Sequence, residues 1–126
     1  MSNNDKKAGL LAAHLFLARD LAHRKHLRPQ GPGSGWEHET LGAFYEGIVE
    51  RADEFVECYQ GEYEVLLDIT LLDNEYEGEI RDVLVQVKSW VQDNRDSVTD
   101  DPSLLNLIDE ITRLFQRTNF KLSYLE

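Results

Sequence analysis

The chain has 126 residues, of which 24 are acidic and 13 basic, and its formal net charge is -11 at pH 7. The length suits one domain with a single core, and 41% hydrophobic and 29% charged residues are typical of a globular protein rather than a disordered one. The charge argues against direct nucleic-acid binding or an anionic membrane, because lysine and arginine hold phosphates. It is compatible with solubility, cation binding or docking onto a basic protein.

A single cysteine, Cys58, excludes an internal disulfide framework and favours a reducing compartment. We expect it to be a small structural residue of a helix. The amino terminus has two lysines before an apolar stretch, as a secretion signal does, but His14, Arg19 and Asp20 follow at once. We therefore expect a cytoplasmic protein without a membrane segment, in which residues 1–5 form a flexible tail.

Apolar residues recur at helical spacing in four segments, which run over about 5–27, 36–61, 75–97 and 102–124. A loop rich in proline and glycine, RPQGPGSG, separates the first two segments. Asp73 or Asn74 is a candidate cap for the third helix, and Asp101 for a helix that begins with Pro102. Four such helices predict an all-α four-helix bundle that forms one domain over residues 1–126.

The connections differ in length. Two are short, which predicts an antiparallel hairpin from each half of the chain. The middle link, about 62–74, is longer and apolar. It could extend the second helix into a tight turn, or it could cross the bundle, since about a dozen extended residues cover the ~30 Å length of such a helix. We expect the crossing.

The second segment carries a line of acids, Glu46, Glu50, Asp53 and Glu57, on the face opposite its apolar residues. The simplest interpretation is a solvated acidic face with His38 at its boundary. The alternative is a metal site that uses His38, Asp53 and Glu57, because imidazole and carboxylates together suit iron, manganese or zinc.

The first segment contributes three more histidines. His26 ends the segment and can approach the start of the second helix, where His38 lies. His14 lies on an apolar line, so we expect it to be buried or interfacial. His23, one turn before His26, is compatible with either role.

The spacing of His26, His38, Asp53 and Glu57 resembles the ligand pattern of the mini-ferritins, the DNA-protection-during-starvation family within the ferritin-like superfamily. In that family one histidine ends helix one, another opens helix two, and an Asp-x-x-x-Glu pair follows along helix two. The stretch HETLGAFYEGIVERADEFVECYQG is similar to that second helix, and small phage-encoded relatives carry similar stretches that end in Tyr-Gln-Gly. The resemblance covers about residues 10–61.

This resemblance implies a ferritin-like four-helix bundle with a long middle connection. It also implies a homodimer or larger homo-oligomer with iron bound between subunits, by the histidines of one chain and by Asp53 and Glu57 of the other. The family oxidises ferrous iron with peroxide or oxygen and stores the mineral in a hollow dodecamer. Gly42 stands where the family usually has an acid, Leu27 replaces a common tryptophan, and the basic DNA-binding tail is missing. These departures predict weak rather than full ferroxidase activity.

Two other functions are compatible with the charge. A non-catalytic acidic interaction module, such as a phage accessory or inhibitor protein, would bind a basic protein partner without metal and in a salt-sensitive way. A DNA mimic would need acids spread along an extended surface.

Overall fold

The structure is a computed structural model that describes residues 2–124. Its four helices are α1 (Asn3–His26), α2 (Ser34–Tyr63), α3 (Ile80–Val98) and α4 (Pro102–Tyr124). Helix α1 packs against α2 and α3, and α4 packs against the same two helices. The predicted all-α four-helix bundle is thus confirmed, with α1 and α4 on one diagonal and α2 and α3 on the other.

One hydrophobic core fills the bundle. Helix α1 faces it largely with small residues, whereas α2 and α4 supply its largest rings. The fully buried side chains include Ala8, Ala12, Ala18 and Ala22 of α1, Phe44, Phe55 and Tyr59 of α2, and Phe115 of α4. The small face of α1 allows other backbone to approach it closely.

Helix α1 begins earlier than predicted. The Ser2 hydroxyl accepts a hydrogen bond from the Asp5 backbone N–H at 3.0 Å, which satisfies one of the free amides of the first turn. Residues 3–5 are therefore helical rather than part of a flexible tail, and Met1 lies outside the described residues.

The starts of the last two helices differ in how well they were predicted. Neither Asp73 nor Asn74 caps α3, because Asn74 instead accepts the backbone N–H of Tyr76 in a local turn, and the helix begins later, at Ile80. Helix α4 begins at Pro102 as predicted, and the Asp101 carboxylate accepts the Ser103 backbone N–H at 3.3 Å.

Residues 64–79, which we call the crossover, run the length of the bundle. Helix α2 ends beside the start of α1, where the Tyr59 hydroxyl donates to Asp5 at 2.7 Å. From there the crossover follows α1: residues 69–72 line one cavity with Ala13 and Phe16, and further on Tyr76 and Ile80 line another with Arg24. The predicted end-to-end crossing is confirmed, so α2 and α3 run parallel.

Two ends of the bundle result from this path. At the histidine end, α1 stops, α2 and α3 start and α4 stops; there the indole N–H of Trp36 donates to the Lys121 carbonyl at 3.4 Å. At the other end, Asn4 of α1 donates to the Val98 carbonyl of α3 at 3.2 Å.

Cys58 lies on α2 and is exposed, and its role as a structural residue stays a prediction. No helix in the described part of the chain combines the length and apolar character that a membrane crossing requires.

Candidate metal centre

His26 and His38 form a reciprocal pair at the histidine end. Their rings stack with centroids 3.7 Å apart and planes 17° apart. Nδ1 of His26 donates to the His38 carbonyl at 2.6 Å, and Nδ1 of His38 donates to the His26 carbonyl at 2.8 Å. Because a carbonyl only accepts, each Nδ1 holds a proton, and in a neutral ring Nε2 then carries the lone pair that a metal can take.

The pair also satisfies a backbone carbonyl at the end of α1. The last carbonyls of α1 have no partner within the helix, and the His38 ring satisfies one of them. The loop that brings α2 back depends on two glycines, since Gly31 and Gly33 have φ values of 83° and 78°. The predicted approach of His26 to His38 is confirmed, and its minimal role is to close the α1–α2 hairpin.

Gly42 faces this pair. A Cβ at position 42 would lie 3.0 Å from Cε1 of His26 and 3.3 Å from its Nδ1. The ring of His26 thus fills the space that a side chain at position 42 would need. An acid there, as in the mini-ferritins, would press on the His26 ring in this arrangement.

Tyr45 lies beside the pair, and its ring contacts three side chains of α1. His23 stacks on its ring at 4.5 Å, His26 meets its edge at 5.2 Å, and the Arg19 guanidinium lies 5.8 Å from its centre. The role of His23, which the sequence left open, is therefore an aromatic contact. The sequence reasoning missed Arg19, although Arg19, His23 and His26 are spaced four and three residues apart and share one face of α1.

The ring geometry limits how one ion can use both histidines. The lone pair of Nε2 lies in the plane of its ring. Two rings stacked with their centroids 3.7 Å apart and their planes only 17° apart do not direct both lone pairs at one point within the ~2.1 Å of a metal–nitrogen bond. As the rings stand, one imidazole can bind an ion, and joint binding requires one ring to turn.

Asp53 and Glu57 lie elsewhere on α2, where both are exposed. They are 15 and 19 residues beyond His38, which is about 22–28 Å along a helix. Accordingly, no group of three or more His, Cys, Asp or Glu side chains within residues 2–124 could hold a metal ion. The four predicted ligands do not meet in one chain, and a site shared between two chains stays a prediction.

His14 has a different role, as the sequence predicted. It is half-buried, its Nδ1 lies 2.7 Å from the Tyr76 hydroxyl, and its ring stacks on Trp90 at 4.1 Å. Burial lowers the pKa of His14, and the charge of Glu75 partly offsets this. His14 therefore ties α1 to the crossover and to α3.

Comparison with known proteins gives one match, to a family model. Neither a curated protein nor a solved structure matches the chain. The family model matches residues 36–122, which run from α2 through the crossover into α4 and include His38, Asp53 and Glu57 but not His26. Since this span is more than half of the chain, the protein belongs to the family of unknown function designated DUF5856.

Proposed function

We propose that this protein binds iron, or another divalent metal, at a site that two copies of the chain complete together. His26 and His38 of one copy supply imidazoles, and Asp53 and Glu57 of the other copy supply carboxylates. The observation that carries the proposal is the reciprocal pair itself. A carbonyl holds each Nδ1, which leaves Nε2 as the donor atom, so one imidazole can bind as the rings stand and the second can bind after its ring turns.

The exposure of the carboxylates supports a shared site. Asp53 and Glu57 point away from the protein's own core and have no ion-pair partner among the described residues. A homodimer that brings α2 of one chain antiparallel to α2 of the other would place His38 opposite the acids twice, by symmetry.

The donor set suggests a weak oxidase. Bound iron supplies redox chemistry with oxygen or peroxide. With Gly42 in place of an acid, this chain offers one carboxylate fewer than the mini-ferritins, so we expect metal binding with little ferroxidase turnover. The single cysteine is in keeping with action in the cytosol.

The test is an anaerobic ferrous-iron titration by calorimetry. We compare the wild type with His26→Ala/His38→Ala and with Asp53→Asn/Glu57→Gln. A matched control, Glu46→Gln/Glu50→Gln, removes the same charge from the same acidic face. We expect saturable binding in the wild type and the control, and loss in both site variants. Absence of wild-type binding, or equal loss in the control, would contradict the proposal.

Mixing the two site variants tests the sharing. In a mixed dimer one site has lost every ligand and the other has kept them all. After subunit exchange, an equal mixture should therefore recover about one quarter of the wild-type sites, because about half of the dimers are mixed and each carries one of two sites. No recovery from exchanged dimers, or a monomeric wild type, would exclude a shared site.

A second candidate function is docking onto a basic protein. The observation in its favour is the segment between Arg51 and Arg81, which has ten acids and no lysine or arginine. This function predicts binding that weakens with salt and does not respond to metal, so the same variants can separate the two candidates.

A further inference from the structure

The crossover has the pattern of a β-strand that lies on a surface. Val65, Leu67 and Ile69 are half-buried against the bundle, whereas the residues between them are exposed. This period of two is that of a strand with one face covered. On the outer face, Leu66 is 83% exposed; the alternation ends at Thr70, after which Leu71 is 97% exposed and Leu72 is half-buried.

No strand lies beside this segment within residues 2–124. The N–H groups of Val65 and Leu67 donate to Gln60, to its carbonyl at 3.3 Å and to its side-chain oxygen at 2.8 Å. From residue 68 to residue 73, no backbone group has a hydrogen-bond partner within the described chain, and among these groups the Asp68 carbonyl is packed against Gly9. Free N–H and C=O groups along an extended segment are a template for a further strand.

Charge restricts which strand can pair there. Glu64 and Asp68 are exposed beside Leu66, and the whole of residues 52–80 lacks a basic side chain. A second copy paired antiparallel about Asp68 would set the two Asp68 carboxylates against each other, and like charges directly opposite are destabilising. A partner with basic residues has the complementary charge.

We propose that residues 66–72 of the crossover accept an extended segment of a basic protein by strand addition. Main-chain hydrogen bonds would hold the segment along the open edge, lysine or arginine would face Glu64 and Asp68, and apolar side chains would cover Leu66 and Leu71. The proposal goes beyond metal binding and does not depend on it, because no proposed ligand lies in the crossover.

The test uses two acetylated and amidated nonapeptides of alternating lysine and valine. In the second peptide, every backbone amide is N-methylated, which leaves its charge unchanged and removes the donors from both edges. Titration by fluorescence anisotropy should show at least tenfold weaker binding of the methylated peptide. Equal binding of both peptides would mean general attraction of a polycation to an acidic protein, and it would overturn the proposal, as would no binding of either.

Protein variants locate the contact. Thr70→Pro removes a backbone N–H that has no hydrogen-bond partner among the described residues, so it should weaken binding of the unmethylated peptide at least tenfold. Leu66→Ser/Leu71→Ser should weaken it in the same direction, whereas Glu46→Gln/Glu50→Gln on α2 should change it less than twofold. If the α2 control weakens binding as much as Thr70→Pro, the peptide binds the acidic helix and the proposal fails. The peptide pair alone decides the matter if Thr70→Pro does not fold, which its circular dichroism would reveal.

Discussion

The two connections of α2 hold their helices by different means. The loop before α2 joins adjacent helix ends, and the pair that closes it, His26 and His38, is 12 residues apart in sequence. The crossover after α2 spans the whole bundle, and its contacts with α1 join residues more than 50 positions apart: Asp68 with Gly9, and Tyr76 with His14. The first connection depends on local geometry, whereas the second depends on contacts that exist only once the bundle has formed.

Gly9→Ala should have the largest effect on stability, and it tests whether the crossover depends on its contact with α1. A Cβ there would lie 2.4 Å from the Asp68 carbonyl oxygen, a distance that real side chains do not adopt. We expect Gly9→Ala to displace the crossover and lower the free energy of unfolding by about 2 kcal/mol, the cost of forcing extra volume into a packed contact. Urea denaturation measures it.

Gly61→Ala is the matched control for Gly9→Ala. Gly61 is also helical, but nothing lies within 4 Å of its Cβ position. Because alanine favours a helix, this variant should be stabilised by up to about 1 kcal/mol. If Gly9→Ala is stabilised as well, the crossover does not depend on the close approach at Gly9.

Variants of the histidine pair test the other connection, the loop between α1 and α2. We expect His26→Ala and His38→Ala each to lower the free energy of unfolding by about 1 kcal/mol, the size of a typical hydrogen-bond contribution, because each variant removes one ring-to-carbonyl hydrogen bond. Glu39→Ala serves as a control, because Glu39 is exposed on the same turn of α2 as His38. Losses near zero in both histidine variants in metal-free buffer would show that the pair does not close the hairpin and would leave metal binding as its role.

The sequence predicted those features that depend on neighbouring residues. The four apolar periodicities gave the helices, Asp101 with Pro102 marked the start of α4, and the twelve-residue spacing of His26 and His38 gave their contact. Each of these signals is contained in about two turns of helix or one short loop.

The features that were missed depend on contacts between distant residues. Nothing in the sequence around Gly9 indicates that the Asp68 carbonyl packs on it. The start of α3 was placed too early because Asp73 and Asn74 look like caps but lie in the crossover, several residues before the helix. Of the candidate site, the sequence predicted the histidine pair and the acidic face of α2, whereas a site that combines them across two chains stays a prediction.

A pH series tests the tie between the crossover and α1. Burial lowers the pKa of His14 from its ordinary value of 6.5, so the unfolded chain takes up a proton before the folded chain does. The free energy of unfolding should therefore fall as the pH decreases from 7 to 5. His14→Gln should have a flatter pH dependence, since contributions of all other groups are common to both proteins.

The pH window from 7 to 5 separates this effect from that of the acids. Hydrogen bonds from Tyr59 and Arg95 hold the pKa values of Asp5 and Asp109 below their usual value of 3.8, so the stabilisation from these carboxylates is present above that value and is lost only in stronger acid. Identical slopes for the wild type and His14→Gln between pH 7 and 5 would contradict the role of His14.

The smallest effect concerns the residue that turns the chain from α2 into the crossover. The sequence predicted that α2 ends at about Gly61, because glycine is the residue type that most often follows a helix. Instead, α2 continues to Tyr63, and Glu64 adopts the left-handed conformation, with φ 55° and ψ 47°. A side chain is disfavoured there by roughly 1–2 kcal/mol, and glycine loses part of that advantage through its greater freedom in the unfolded chain. Glu64→Gly should therefore raise the free energy of unfolding by about 0.5–1 kcal/mol, whereas Glu62→Gly, in the last helical turn, should lower it by a similar amount. Thermal denaturation measures the change in stability of each variant. A loss of stability in Glu64→Gly would mean that the Glu64 side chain, rather than the backbone turn, fixes the start of the crossover.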